Sequence, residues 1–181
     1  MKYLKSILFS VAFIIAIVLD KSIAGLVASN RMLFLDKFFA FVINYMSAAI
    51  LISLVFIYIV IKDKKSIKPY LIALASSVSI SVLLKIITNR TRPFIALALE
   101  KMPGIGYDFA SWNLSFPSWH AVSFFFMIPF ISRKYKPYWF ALAVVVGFSR
   151  IYSNVHYLSD VLFGALLGYI ISKLCISYFK K

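Results

Sequence analysis

The sequence predicts an all-α, polytopic membrane protein with six transmembrane helices. Three observations carry this reading. Hydrophobic residues make up 62% of the 181-residue chain, against ~45–50% in a soluble globular domain. Apolar runs recur along its whole length, on the scale a helix needs to cross hydrocarbon. The cations collect at the ends of those runs, which is the pattern of the positive-inside rule. The net charge of +14 therefore reads as membrane topology, and no nucleic-acid partner is expected. A single cysteine, Cys175, excludes a disulfide framework or a cysteine-based metal site within one chain. No linker, repeat or low-complexity segment divides the sequence, so residues 1–181 read as a single integral-membrane domain.

The elements follow in order. Met1 to Lys5 is a short basic start, and Ser6 to Leu19 is the first span, ended by Asp20-Lys21. A signal peptide competes for this stretch. No clear small-x-small cleavage site follows directly, and an even number of spans works with the segment retained. Asp20 to Asn30 mixes polar and apolar residues and suits the interface. Phe38 to Ile61 is uncharged and forms the second span. A basic loop from Lys62 to Lys68 precedes Pro69, which suits a helix start. Tyr70 to Ile87 is the third span, with Lys85 near its end. Thr88 to Pro117 is the longest polar connection, holding Arg90, Arg92, Glu100, Lys101 and Asp108, with Pro103 and Gly104 as turn formers. Ser118 to Ser132 is a short fourth span. After the basic turn Arg133 to Pro137, the fifth runs from Tyr138 to Phe148 and continues into Ser149 and Arg150. Tyr157 to Tyr178 is the sixth.

Orientation follows from counting cations by side. Lys2, Lys5, Lys62, Lys64, Lys65, Lys68, Arg133, Lys134, Lys136, Lys173, Lys180 and Lys181 make twelve on one side. Lys21, Arg31, Lys37, Lys85, Arg90, Arg92, Lys101 and Arg150 make eight on the other. The excess places both termini in the cytoplasm. Lys85, Arg92, His120, Arg150, His156 and Asp160 then fall near the opposite face of the cytoplasmic membrane.

Those residues belong to three segments. The stretch from Ser149 to Asp160 puts an arginine, a histidine and an aspartate between apolar sequences, and charge beside hydrocarbon-length segments usually marks function. His156 and Asp160 are four apart and share a face if they lie on one helix. Asp160 can then accept the Nδ1 hydrogen, which fixes the tautomer and leaves Nε2 as nucleophile or base. Arg150 offers a planar fork suited to phosphate oxygens. A His–Asp pair that only caps a helix is the plain alternative. In the stretch from Lys85 to Pro93, Lys85 and Arg92 sit two helical turns apart, while Pro93 disfavours helix at Arg92 and turns the chain. Two fixed cations there call for an anion; interfacial snorkelling by both is the alternative. In Phe116-Pro117-Ser118-Trp119-His120, a helix start presents backbone N–H groups and a positive dipole end. Ser118 can cap that helix, donate to a phosphate oxygen, or both.

Metal hydrolases usually need several carboxylates or histidines. Only Asp160 is well placed here, and it is better used on His156, so no metal site is expected. Three cations, two histidines, a serine hydroxyl and helix-end amides suit phosphoryl transfer by electrostatic clamping and a nucleophile.

The three segments resemble the phosphatidic acid phosphatase type 2 family, which shares its site with vanadium haloperoxidases. The family pattern is K-x6-R-P, P-S-G-H and S-R-x5-H-x3-D. This chain has Lys85 to Pro93, Pro117-Ser118-Trp119-His120, and Ser149-Arg150 to His156 to Asp160. Trp119 is the departure, where the family usually has glycine. Tryptophan keeps the backbone N–H, so the departure bears on substrate range more than on the reaction. The resemblance implies a haloperoxidase-like helical-bundle core and a metal-independent lipid phosphatase without cofactor. It implies that His156 attacks phosphorus to form a phosphohistidine, that Asp160 orients His156, and that His120 protonates the leaving oxygen. Lys85, Arg92, Ser118, the Trp119 N–H and Arg150 would hold the phosphate oxygens, and Ser149 is read as a helix-end residue. The expected partner is a lipid phosphate in the bilayer: undecaprenyl diphosphate, phosphatidylglycerophosphate, phosphatidic acid or lipid A 1-phosphate. A lipid phosphotransferase on the same site is the nearest alternative. A transporter or channel is another, though the charges gather at one membrane face and leave the span interiors almost uncharged.

Overall fold

The computed structural model describes residues 2–43, 45–99 and 113–179. Among these the α-helices are α1 (Lys2–Ser29), α2 (Leu33–Ile43), α3 (Tyr45–Lys62), α4 (Ile67–Thr88), α5 (Pro93–Ala96), α6 (Trp119–Met127), α7 (Lys136–Tyr152) and α8 (Leu158–Phe179). Short 3-10 turns lie at Lys64–Ser66 and Ile128–Phe130. An isolated antiparallel bridge pairs Thr91 with Leu114. Glu100, Lys101, Pro103, Gly104 and Asp108 lie outside the described residues.

Two expectations from the sequence are corrected. Asp20-Lys21 does not end the first helix, because α1 runs unbroken to Ser29, and the residues after Asp20 continue the same helix. The helix tolerates the pair because each side chain finds its own solution. Lys21 is exposed, while Asp20 is buried and hydrogen-bonded to Arg90 and Ser159. The run Phe38 to Ile61 is shared between α2 and α3, and α2 begins earlier, at Leu33. Asp36 stands in its first turn and pairs with Arg31 at 3.2 Å, the favourable place for an acid against the helix dipole.

Among the described residues, three helices are long and apolar enough to cross a membrane: Ile7–Ser29, Lys64–Thr88 and Leu158–Phe179. Ile50–Lys62 and Trp119–Phe130 are shorter apolar helices. Val18, Leu26, Ile86 and Ile87 are exposed on the outside of the bundle. Such an outer surface is stable in lipid, where helices satisfy their own backbone groups, and this is an integral membrane protein.

α8 is the central element, packed on α6, α4 and α1. Tyr70 and Ala73 of α4, Phe124, Phe126 and Met127 of α6, Val146 of α7 and Ile171 of α8 bury together. This core fills the half of the bundle where α4 begins and α6 ends. The other ends of the same helices are left to carry polar groups. Two glycines set the α6–α8 approach. A Cβ on Gly164 would stand 2.8 Å from the Ser118 carbonyl oxygen, and one on Gly168 would collide with the Val122 carbonyl oxygen and lie 3.0 Å from the Phe126 nitrogen. Backbone cannot move aside as a side chain can. Gly168→Ala is therefore expected to destabilise by about 1–3 kcal/mol through overpacking, and to lower activity because Ser118 and His120 ride on α6. Thermal unfolding in detergent checks this; a variant melting with the parent protein refutes the close approach.

Candidate active site

The polar ends of the helices converge beyond the apolar core. α4 stops after Thr88 because Asn89 takes a left-handed conformation (φ 43°, ψ 37°) and returns its N–H to the Lys85 carbonyl at 3.0 Å. Asparagine is one of the few non-glycine residues that tolerates this helix-ending geometry. The chain then runs beside residues 114–115: Thr91 bridges Leu114, and the Ser115 N–H donates to the Arg90 carbonyl at 2.7 Å. Arg92 is extended (φ −71°, ψ 152°), as the residue before Pro93 should be, and Pro93 opens α5. Lys85 and Arg92 are thus not stacked on one helix, as their spacing led us to expect. The helix ends between them, and the turn brings both to the same cavity. Lys85 Nζ donates to the Leu114 carbonyl at 2.9 Å.

Ser118 is the N-cap of α6, yet its side chain makes no capping hydrogen bond. Its Oγ is buried with no hydrogen-bond partner among the described residues. Of its two expected uses, capping is not taken. The Ser118 N–H donates to the Asp160 carbonyl at 3.1 Å, tying α6 to α8. Trp119 and His120 open α6, where the first N–H groups have no intrahelical partner and the dipole is positive.

Arg150 lies in the last turn of α7 and is fully buried. Its carbonyl accepts the N–H groups of Val155 at 3.3 Å and His156 at 3.2 Å, which folds residues 153–157 back over the helix end. The Ser149 hydroxyl donates to the Val146 carbonyl within α7 at 2.6 Å, in keeping with a helix-end residue. His156 Nε2 lies 3.2 Å from Arg92 Nη1, which also donates to the Val155 carbonyl at 2.8 Å. A guanidinium only donates, so Nε2 is the acceptor and the imidazole proton is assigned to Nδ1. That Nδ1 lies 3.7 Å from Asp160 Oδ2, within ion-pair reach but longer than a hydrogen bond.

The expected Nδ1–H to carboxylate hydrogen bond is therefore not formed, for two geometric reasons. α8 begins at Leu158, so His156 and Asp160 do not share a helix. The carboxylate is also shared: Oδ2 accepts the Tyr157 N–H at 2.8 Å and Oδ1 accepts from Arg90 Nη1 at 2.7 Å. The Tyr157 contact is the return half of a capping box. Asp160 both caps α8 and faces His156.

Burial, followed by the charges of Arg92, Lys85, Arg150 and His120, holds the His156 imidazole well below its ordinary protonation range. A lowered range means that the proton is lost at lower pH. The ring is neutral at neutral pH, with its Nε2 lone pair available for bonding.

A cavity of about 300 Å³ joins these groups. Lys85, Arg92, Trp119, His120 and His156 line it, together with Val78, Ser81, Val82 and Ile86 of α4 and Leu114. Ser118, Arg150 and Asp160 are buried and do not line its wall. Trp119 forms part of the wall, with Val78, Val82 and Ile86 of α4. Among the described residues, no group of three or more His, Cys, Asp or Glu side chains is placed to hold a metal ion.

Two residues of this region escaped the sequence reading: Asp20, read as a helix boundary, and Arg90, counted only among the cations of a polar connection. Arg90 Nη2 meets Asp20 Oδ2 at 2.7 Å. A signal for Asp20 existed, since a carboxylate inside an apolar run is costly unless it has a partner.

Fold and site together define a helical membrane protein with cations and histidines gathered at one end of its bundle. Residues 66–181 match the sequence model of the PAP2 superfamily. That is more than half of the chain, and the chain belongs to this family of membrane lipid phosphatases. The crystal structure of Aquifex aeolicus LpxE is similar, with a TM-score of 0.71 and 28% identity over 88% of this chain and 96% of that one. The first transmembrane PAP2 type phosphatidylglycerolphosphate phosphatase from Bacillus subtilis shares the fold, with a TM-score of 0.71 and 21% identity over 96% of this chain and 95% of that one. The bacitracin transport permease protein BcrC of Bacillus licheniformis is 51% identical over 57 residues, which span 30% of this chain and 28% of BcrC.

Proposed function

We propose that this protein is a metal-independent lipid phosphatase. It would hydrolyse a phosphate or diphosphate monoester of a membrane lipid at the outer face of the cytoplasmic membrane. The observation that carries the reading is the cavity, where Lys85, Arg92, His120 and His156 share a space walled by Val78, Val82, Ile86 and Trp119. A phosphate needs the first set and a hydrocarbon tail the second.

Phosphate entering beside His156 takes the place of the Arg92 guanidinium at Nε2, and Arg92 then clamps the phosphate oxygens. Lys85, Arg150, the Ser118 hydroxyl and the Trp119 N–H complete the clamp. Nε2 attacks phosphorus and the bond to the lipid oxygen breaks. His120 gives that oxygen its proton, releasing the lipid alcohol or, from a diphosphate, the lipid monophosphate. Asp160 balances the positive charge that grows on His156. Water then attacks the phosphohistidine, His120 takes up its proton, and inorganic phosphate leaves.

Candidate substrates are undecaprenyl diphosphate, phosphatidylglycerophosphate, phosphatidic acid and lipid A 1-phosphate. Purified protein in detergent should release inorganic phosphate from at least one of them. Vanadate, which mimics five-coordinate phosphorus, should inhibit, and EDTA should not. Activity lost to EDTA and restored by a divalent ion would rule out the metal-free route. Transfer of the phosphate to a lipid hydroxyl instead of water would make the protein a phosphotransferase. The name of BcrC favours a transporter as a second reading, but the match spans 28% of that protein. Substrate flux across vesicles without phosphate release would select it.

We place residues 1–181 in one membrane domain of six spans, with α3, α6 and α7 joining the three long helices, both termini cytoplasmic and the site extracytoplasmic. Lys64, Lys65 and Lys68 near the start of α4, and Arg133, Lys134 and Lys136 just before and at the start of α7, support this. They lie at the ends away from the site. Asn113 is exposed beside the site. Asn113→Cys should react with a membrane-impermeant thiol reagent in intact cells, or in spheroplasts if an outer membrane blocks access. Cys175, toward the other end of α8, should stay unlabelled until lysis. Labelling of Asn113→Cys only after lysis would reverse the topology.

A further inference from the structure

The proposed mechanism leaves one buried acid unused. Asp20 of α1 is 2% exposed. Its Oδ1 accepts the Ser159 N–H at 3.0 Å, and its Oδ2 accepts from the Ser159 hydroxyl and, at 2.7 Å, from Arg90 Nη2. Arg90 Nη1 donates to Ser159 Oγ and to Asp160 Oδ1, each at 2.7 Å. The guanidinium also lies over the Tyr157 ring, 4.1 Å from its centroid. Asp20, Ser159, Arg90 and Asp160 thus form a closed circuit joining α1, the turn after α4 and the first turn of α8.

Docking of α1 alone does not call for this arrangement. Well-packed apolar residues hold a buried interface as well as a buried ion pair or better. The position of the circuit is informative. One end is the carboxylate that faces His156 Nδ1. The other is Arg90, two residues before Arg92, whose Nη1 meets His156 Nε2. Both of Arg90's terminal nitrogens are committed, so its orientation is set only while both carboxylates are present. Removing the Asp20 charge frees one side of Arg90 and takes an anchor from Ser159, the neighbour of Asp160.

We propose that Asp20 is a positioning residue for the reaction. Through Arg90 and Ser159 it sets the Asp160 carboxylate against His156 and fixes the stretch that carries Arg92. This rests on the reading of His156 as nucleophile. Asp20 precedes residues 66–181, which the family model matches, so the first helix contributes to the chemistry as well as to anchoring.

Asp20→Asn keeps the shape and one acceptor for Ser159 but removes the charge. With a lipid phosphate substrate, kcat should fall about 10- to 100-fold, the range expected when reacting groups are misplaced slightly, with KM little changed. Combining Asp20→Asn with Arg90→Lys should cost little more than the larger single loss, because both act through one circuit. The chain has only two histidines, so 15N spectra of histidine-labelled protein read the His156 tautomer directly. The parent should show the Nδ1–H form, and Asp20→Asn should shift the balance. Parent kcat in folded Asp20→Asn, whatever its melting temperature, overturns the proposal, as does an unchanged His156 spectrum. If Asp20→Asn does not fold, Ser159→Ala removes one hydroxyl from the circuit and is read the same way, with a smaller expected loss. A parent protein that releases no phosphate from any lipid phosphate defeats the functional reading instead. The imidazole spectra then decide the positioning role alone.

Discussion

Replacing His156 with alanine is expected to abolish turnover and leave the protein folded. Loss of a nucleophile that works as a unit with its partners costs about 10⁴- to 10⁶-fold in kcat. The fold should survive because the contacts that shape this loop are main-chain ones. The His156 N–H to the Arg150 carbonyl is kept, and Arg92 still reaches the Val155 carbonyl. The ring itself stands at the wall of an existing cavity. Initial rates on a lipid phosphate, set beside the melting temperature, test this. Acid quenching should destroy a phosphoryl-protein adduct that alkaline quenching preserves in the parent protein, and the variant should form none. Residual activity above about a tenth of the parent sinks the assignment, because such a loss fits repositioning of Arg92 better than loss of the attacking atom.

The second large effect is expected at His120. As general acid it should contribute about 10²- to 10⁴-fold, and the size should depend on the leaving group. A lipid alkoxide leaves poorly without a proton, whereas p-nitrophenolate leaves readily unprotonated. His120→Ala should therefore lose activity steeply on a lipid phosphate and far less on p-nitrophenyl phosphate. Equal losses on both substrates would assign His120 to phosphate binding or to the α6 start, and the proton donor would have to be sought elsewhere. The residue is buried in the first turn of α6 and lines the same cavity as His156.

The family, the all-helical membrane class and the cavity residues Lys85, Arg92, Trp119, His120 and His156 were legible in the sequence. Apolar run length depends on local composition, and three motifs at fixed spacing depend on local order. Less legible was what each charge does. Asp20 looks like a helix end to any reading that knows only the cost of a charge in an apolar run. Its partners, Arg90 and Ser159, lie far along the chain. The Lys85–Arg92 spacing fits one helix face until Asn89 turns left-handed and ends the helix between them. The His156–Asp160 spacing fits one helix until α8 begins at Leu158 and takes the carboxylate for its own cap.

By itself, then, the sequence determined that this is a helical membrane protein, and it singled out Lys85, Arg92, Trp119, His120 and His156, which the fold brings to one cavity. Hydrophobicity acts over a window of neighbouring residues, and a motif preserves the chemistry of its members. Only the tertiary structure decided which charges are paired, which nitrogen of His156 carries the proton, and that Asp20 of α1 meets Arg90 and Ser159. Each of these depends on a hydrogen-bond partner, and its geometry is set by helices that meet in space rather than in sequence.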